Sequence, residues 1–192
     1  MNMKESIKSK IVVTPLPVLI IGTYDADGNP DAMNAAWGTQ CGYEELTLLL
    51  DASHKTTENI RLNKQFTVAI GTVDTLVLCD YLGIVSANNV PDKIAKTGVA
   101  ISKAEHVNAP VIEQFPLTME CEVITIDDYK GDARITARVV NVLADPDILN
   151  EHGKVDYSKL RPISFDSETN TYRELGGVVG RAFHDGTAIS QK

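Results

Sequence analysis

Short apolar runs separated by polar turns dominate the first third of the chain, and this pattern is typical of β-strands. It predicts strands at residues 18–25, 32–40, 46–50 and 66–71. The sequence Asp27-Gly28-Asn29-Pro30 between the first two strands predicts a hairpin turn. Later, residues 117–128 and 133–143 predict two long paired strands around Lys130-Gly131-Asp132. Their inward-facing positions would close a sheet or barrel.

Helix signals are short and lie between the strands. Helices are predicted at residues 56–63, 76–82 and 91–98, and Pro91 and Gly98 mark the ends of the last one. Residues 145–170 predict a long loop, and residues 171–175 predict a returning strand. Residues 176–186 are too rich in glycine for a stable helix and too apolar for a free tail, so we expect them to dock near another surface. The predicted fold class is mainly β, a β-barrel with short peripheral helices.

Composition narrows the possible partners. The 192 residues are 43% apolar and 23% charged, which predicts one soluble domain, residues 1–192. With 18 Lys and Arg against 26 Asp and Glu, the net charge of −8 argues against nucleic acid or an anionic membrane as partner. A bound phosphate must therefore be held by a local site.

The cysteines and the N-terminus predict a cytoplasmic protein without a metal site. Cys41, Cys79 and Cys121 are far apart and have no metal-ligand spacing, which suits a reducing compartment. Residues 1–10 are polar and contain no apolar segment typical of a signal peptide. No apolar run is long enough to span a membrane.

The segment from Asp51 to Asn59 carries the strongest chemical signal. It ends a strand and begins a helix with hydroxyl and cationic side chains, among them Ser53, Lys55 and Thr56. The unpaired N–H groups of a helix's first turn attract a phosphate. The alternative is an ordinary capped surface helix, because Ser and Thr are common at helix starts.

A second candidate is the run Asn34-Ala35-Ala36-Trp37-Gly38, which combines small residues, an amide and the only tryptophan. Small side chains allow a flat ring to approach the backbone, and an indole can stack on or cover such a ring. The alternative is a tightly packed strand crossing with a tryptophan in the core.

Several spaced motifs together resemble one known family. They are Pro15-x-Pro17-Val-Leu-Ile-Ile-Gly-Thr, Asn34-Ala-Ala-Trp, Ser53-x-Lys55-Thr56-x-x-Asn59, Asn-Val-Pro-Asp-Lys93, Ala109-Pro110-Val111-Ile112, Lys159-Leu-x-Pro162-Ile, Tyr172-x-x-Leu175-Gly176 and Gly180-Arg181-Ala-Phe183-His184-x-Gly186. In this order they resemble the flavin reductase-like family of FMN-binding split barrels, in particular its flavoredoxin-type branch.

The resemblance implies a homodimer of six-stranded, Greek-key-like barrels with FMN between the subunits. The flavin ring would lie against Asn34, Ala35, Ala36 and Trp37. The residues implied to hold the phosphate are Ser53, Lys55, Thr56 and Asn59, with His54 and Thr57 contributing through backbone or side chain. Lys93 would reach the flavin from the helix that follows Pro91, and the alternative is an exposed helical lysine.

The resemblance also places Phe183 and His184 near the open face of the flavin. There, His184 could act as a catalytic residue that positions a nicotinamide or a protonated substrate. The alternative is a hydrated C-terminal histidine. Cys41 follows the ring-binding segment closely, and we expect it to be a buried, inert thiol.

The function expected from this family is an FMN-dependent oxidoreductase that moves hydride or electrons from NAD(P)H or a reduced partner. Residues 176–180 lack the G-x-G-x-x-G order of a dinucleotide-binding fold, so NADH or NADPH would bind only transiently. A flavoredoxin-like electron carrier that serves a redox partner protein is one alternative. A split barrel that binds a ligand without redox activity is another.

Overall fold

The computed structural model describes residues 3–190, so two residues at each end of the predicted domain lie outside the described part. The strands are β1 (Leu16–Pro17), β2 (Leu19–Tyr24), β3 (Pro30–Ala35), β4 (Gly38–Gln40), β5 (Glu45–Asp51), β6 (Gln65–Ile70), β7 (Ile101–Lys103), β8 (Pro110–Ile112), β9 (Leu117–Tyr129), β10 (Asp132–Ala144), β11 (Ile163–Asp166) and β12 (Thr171–Glu174). The helices are α1 (Lys55–Asn63), α2 (Leu76–Ile84), α3 (Lys93–Thr97), α4 (Tyr157–Leu160) and α5 (Thr187–Ser190), with a 3-10 turn at Pro146–Ile148.

Seven of these strands form one antiparallel sheet in the order β3-β2-β6-β9-β10-β5-β4. Its two edge strands, β3 and β4, follow one another in the chain and are joined only by Ala36 and Trp37. The sheet therefore curls until its edges meet at this two-residue link, which we call the seam. The Leu49 N–H donates to the Trp37 carbonyl at 2.8 Å, which ties the seam to β5. This architecture confirms the predicted split-barrel fold class.

The inside of the curled sheet is the main hydrophobic core. Alternate residues of each strand point inward, as the period of two requires. Leu46, Leu48 and Leu50 of β5 face Ala133, Ile135 and Ala137 of β10, and these six residues are all buried. Ile60 of α1 is fully buried in the same cluster, so α1 closes one end of the barrel.

A second core lies between the sheet, the helices α2 and α3, and a small sheet in the order β1-β11-β12. Cys79 and Leu82 of α2 pack there with Ile94 of α3 and Ile163 of β11.

Among residues 3–190, no helix has the length and apolar character needed to cross a membrane.

Most predicted elements are present, with two differences. The predicted strand 32–40 is interrupted at the seam, because β3 pairs with β2 whereas β4 pairs with β5 on the opposite edge. This gives the sheet seven strands rather than the six implied by the family. The predicted loop 145–170 contains α4 and β11, and β11 is paired on both sides, with β1 and with β12.

Candidate functional site

The turn between β5 and α1, residues 52–54, is exposed and polar. Ser53 donates to Asp51 Oδ1 from both its backbone N–H, at 2.8 Å, and its hydroxyl, at 2.6 Å. These hydrogen bonds from Ser53 lower the pKa of Asp51. Asp51 therefore stays ionised and fixes the turn that leads into the helix.

The start of α1 has the geometry of an anion site. His54 occupies the N-cap position, and no side-chain hydrogen bond from it caps the helix. The first-turn N–H groups therefore have no side-chain cap from His54, and they follow directly after Ser53 and His54, which are both exposed. Lys55 Nζ lies 3.1 Å from Glu58 Oε1, so this cation is shared with a neighbouring acid. These donors and charges fit a phosphate group.

The next three predicted phosphate ligands have side chains that point into the protein. The Thr56 hydroxyl donates to Asp31 Oδ2 at 2.6 Å, and the Thr57 hydroxyl donates to the Asp51 carbonyl at 2.8 Å. Asn59 Nδ2 donates to Thr23 Oγ1 at 3.0 Å. A role in phosphate binding stays a prediction for all three, and for Thr56 and Thr57 it falls on their backbone N–H groups.

Lys93 is buried directly behind this turn rather than exposed. Its Nζ lies 3.1 Å from Asp31 Oδ1 in an ion pair whose side chains are 3% and 5% exposed. The same nitrogen donates to the Val85 carbonyl at 3.0 Å. The alternative of an exposed helical lysine is wrong, because α3 packs Lys93 against the first residues of β3. Contact between Lys93 and a flavin stays a prediction.

The ring-binding candidates lie along β3 and the seam. Asn34 Nδ2 donates to the Cys79 carbonyl of α2 at 3.0 Å, and Gly83 leaves room for this approach because an added Cβ would lie 3.3 Å from Asn34 Cβ. Ala35 is buried in the main core, and Ala36 is half-buried. Trp37 is 52% exposed, so the alternative of a core tryptophan is wrong.

A tyrosine from the small sheet lies beside Asn34. The Tyr172 hydroxyl donates to Asp80 Oδ1 at 2.9 Å. Burial and the Asp80 hydrogen bond raise the pKa of Tyr172 to about 12, against a smaller lowering by Asn34. Tyr172 therefore stays protonated over the physiological range and fixes α2 against β12.

The strand β3 connects the two candidate regions. Its first residues lie beside α1, through the Asp31 and Thr56 contact, and its end leads into the seam at Trp37. At about 3.3 Å per residue, the path from Asp31 to Trp37 is about 20 Å long. Among the described strands β3 pairs only with β2, so backbone groups on its outer edge lack a strand partner. A phosphate donor set beside the start of β3, a strand edge without a strand partner and an exposed indole after its end thus follow one another along this strand.

Phe183 and His184 lie elsewhere, on the C-terminal arm, which we define as residues 176–190. Phe183 is fully exposed, as are Val178 and Val179. His184 Nδ1 lies 2.9 Å from Asp185 Oδ1 within the same arm. Within one chain the arm projects from the barrel, and the predicted roles of Phe183 and His184 at the flavin stay predictions.

Three residues at the site were missed by the sequence reasoning or wrongly placed by it. Asp31, which joins Lys93 to Thr56, is a lone acid at a strand start with no local signal. Asn88 Nδ2 donates to the Ser53 carbonyl at 3.1 Å, so the connection between α2 and α3 contacts the β5–α1 turn. Cys41 was expected to be buried and is exposed, because it lies in the turn after edge strand β4.

Known proteins with similar sequence and structure agree with this fold. Residues 12–160 match the family model of the flavin reductase like domain. This match covers well over half of the chain, and the chain therefore belongs to the flavin reductase-like family. The resemblance inferred from the spaced motifs is confirmed.

Two flavoredoxin structures extend the likeness over nearly the whole chain. Flavoredoxin of Desulfovibrio vulgaris (Miyazaki F) is 29% identical and superposes with a TM-score of 0.90, covering 96% of this chain and 100% of that one. Flavoredoxin from Methanosarcina acetivorans is 23% identical with a TM-score of 0.89, covering 98% and 100%. An FMN-binding domain of a flavin reductases-like enzyme from Shewanella baltica OS155 shares the fold at 20% identity and a TM-score of 0.74, covering 86% and 89%.

Proposed function

We propose that this chain binds FMN along β3 and passes hydride or electrons from NAD(P)H, or from a reduced partner, through the flavin. The observation that carries the proposal is the sequence of features along β3. The uncapped start of α1 lies at one end of the strand, and the exposed Trp37 lies at the other.

In this arrangement the chain binds and orients, while bound FMN supplies the redox chemistry. The first-turn N–H groups of α1, with Ser53, His54 and Lys55, hold the phosphate. The outer edge of β3 offers backbone donors and acceptors to the ring, and Asn34 is held in place by α2. Trp37 covers part of the ring and leaves the opposite face accessible to a donor.

Two experiments test the proposal in order. Titration with FMN should quench the fluorescence of Trp37, because the ring would lie against the indole. A protein that takes up no FMN and keeps unquenched fluorescence would refute it. Anaerobic mixing of the FMN-loaded protein with NADH or NADPH should then bleach the flavin absorbance band within catalytic time.

A flavoredoxin-like electron carrier is the second candidate. It is considered because the chain is 29% identical to the Desulfovibrio vulgaris flavoredoxin and superposes with it over 96% of its length. In this case the FMN-loaded protein would not react with NADH or NADPH but would exchange electrons with a partner protein. The anaerobic mixing experiment separates the two candidates directly.

The described strand pairings are all antiparallel, whereas a dinucleotide-binding fold has a mostly parallel sheet. A nicotinamide would therefore bind by transient stacking on the flavin.

We also propose that the active form is a homodimer in which the C-terminal arm of one subunit docks on the other. The arm exposes Val178, Val179 and Phe183 almost completely. Burying each such side chain is worth about 1.5–3 kcal/mol, so a docked arm would gain several kcal/mol from these three residues. Docking would bring Phe183 and His184 to an FMN held between the subunits, near whose open face the family resemblance places them.

The test is a chain shortened after Leu175. We expect the full chain to elute as a dimer in light-scattering chromatography and the shortened chain to dimerise and bind FMN more weakly. The control is His184→Ala, which should keep the dimer and its FMN content but slow hydride transfer. Equal dimerisation by the full and shortened chains would refute the arm's role.

A further inference from the structure

Behind the β5–α1 turn, three side chains from three elements form one buried polar chain. Lys93 of α3 is paired with Asp31 Oδ1 at 3.1 Å, and the Thr56 hydroxyl donates to Asp31 Oδ2 at 2.6 Å. All three residues are nearly inaccessible, at 2%, 4% and 2% exposure. Asp31 Oδ1 accepts no aligned hydrogen bond from the described residues, so its contact with Lys93 is electrostatic.

This arrangement places a carboxylate immediately behind the N–H groups that would hold a phosphate. Thr56 is the second residue of α1, and its hydroxyl is anchored inward by Asp31. An ionised Asp31 without a partner would repel a phosphate dianion, and at low local dielectric that repulsion is large. Lys93 cancels this charge, because it supplies a buried cation 3.1 Å from Asp31 Oδ1.

The contacts also connect the turn to the α2–α3 connection. Lys93 Nζ donates to the Val85 carbonyl at 3.0 Å, and Asn88 Nδ2 donates to the Ser53 carbonyl at 3.1 Å. The connection is therefore held to the ion pair at its first residue, Val85, and to the turn at Asn88. Because of these two contacts, removing the charge of Lys93 changes both the electrostatic potential at the turn and the packing of the α2–α3 connection against it.

We propose that Asp31 and Lys93 are positioning residues that make the β5–α1 turn selective for a phosphorylated flavin. Asp31 orients Thr56 so that its N–H faces the phosphate, and Lys93 neutralises Asp31 so that the phosphate is not repelled. Neither residue touches the phosphate. This inference rests on the proposed binding of FMN at the turn.

The measurement is the dissociation constant for riboflavin divided by that for FMN. The two ligands differ only in the phosphate. Lys93→Met leaves Asp31 uncompensated, and we expect it to lower this ratio at least tenfold. Asp31→Asn keeps an acceptor for Thr56 and leaves the cation, so the ratio should stay constant or rise. The double variant Asp31→Asn/Lys93→Met removes both charges and should restore the ratio to within about threefold of the wild type.

A merely structural ion pair gives a different pattern. In that case Lys93→Met and Asp31→Asn would change the ratio in the same direction, or not at all, and the double variant would not restore it. That result would overturn the inference. If Lys93→Met does not fold, Thr56→Val and Thr56→Ser replace it. Val should lower the ratio and Ser should preserve it, and equal ratios for these two variants would also overturn the inference.

The control is Thr67→Val, which removes another buried hydroxyl. The Thr67 hydroxyl donates to the Pro110 carbonyl at 2.6 Å and takes no part in the β5–α1 turn. This variant should lower thermal stability and leave the ratio unchanged, and a fall like that of Lys93→Met would overturn the inference. A wild-type protein that binds FMN well but no better than riboflavin would refute the inference alone. A wild-type protein that binds neither would refute the proposed function as well.

Discussion

Replacing Gly38 by alanine places a methyl group at the point where the two edges of the barrel meet. The added Cβ would lie 2.6 Å from Leu48 Cδ2, 2.8 Å from Leu19 Cδ1 and 3.2 Å from the Thr47 carbonyl. Leu48 and Leu19 are buried in the main core, at 1% and 7% exposure. Neither methyl group can move without displacing other core residues, and the carbonyl belongs to the backbone of β5.

The expected cost is that of overpacking, about 1–3 kcal/mol. For a chain of this size, each kcal/mol lowers the melting temperature by about 2–4 °C, so Gly38→Ala should melt roughly 2–12 °C below the wild type. Because Gly38 directly follows Trp37, FMN affinity should fall as well. The assays are thermal unfolding followed by circular dichroism and an FMN titration.

The matched control is Gly42→Ala in the turn of the same hairpin. There the added Cβ would meet the Glu45 side chain at 3.4 Å, an ordinary contact with a flexible group. We expect this variant to melt near the wild type. Equal melting temperatures for Gly38→Ala and Gly42→Ala would refute the steric reasoning, and with it the close closure of the seam.

Three further predictions follow from single contacts. Lys55→Ala should weaken FMN binding by about 1.5–3 kcal/mol without affecting riboflavin binding. Glu58→Gln removes the acid paired with Lys55 and should strengthen FMN binding. Flavin fluorescence titration measures both affinities. The pKa of Tyr172 is raised to about 12 from 10.0, so its contribution to stability should be complete below pH 10 and lost as the pH rises toward 12. Urea unfolding across this range should show a loss that Tyr172→Phe reduces. Of the three cysteines, only exposed Cys41 should react with a thiol reagent in the folded protein. Burial raises the pKa of Cys79, and it raises that of Cys121 to about 12. Reaction of two thiols would contradict this prediction.

Much of the fold could be predicted because its signals are local. The alternation of residues 117–128 and 133–143 specified β9 and β10, and Lys130 and Gly131 adopt the positive φ angles, 53° and 92°, that their tight turn requires. The seam could not be predicted, because residues 32–40 read as one continuous strand. The break arises from pairing with β2 on one side and β5 on the other, which is a property of the closed sheet.

In the candidate site, too, features with a local sequence signal could be predicted and those set by tertiary contacts could not. The start of α1 was visible as a run of hydroxyl and cationic residues after a strand. The inward direction of Thr56 and Asn59 was not visible, because it depends on Asp31 and Thr23, which are 25 and 36 residues away in the chain. Lys93 and Asp31 are further apart still, and only tertiary packing brings their charges together.

The two-residue link at the seam also limits how far the barrel can open. Three peptide units separate Ala35 from Gly38, so the edges of β3 and β4 can move apart by no more than about 11 Å there, even when the link is fully stretched. A ring seated on this link would keep nearly the same surroundings while distant loops fluctuate. If FMN binds as proposed, such a setting would limit how much the polarity around its ring, and hence its reduction potential, can vary.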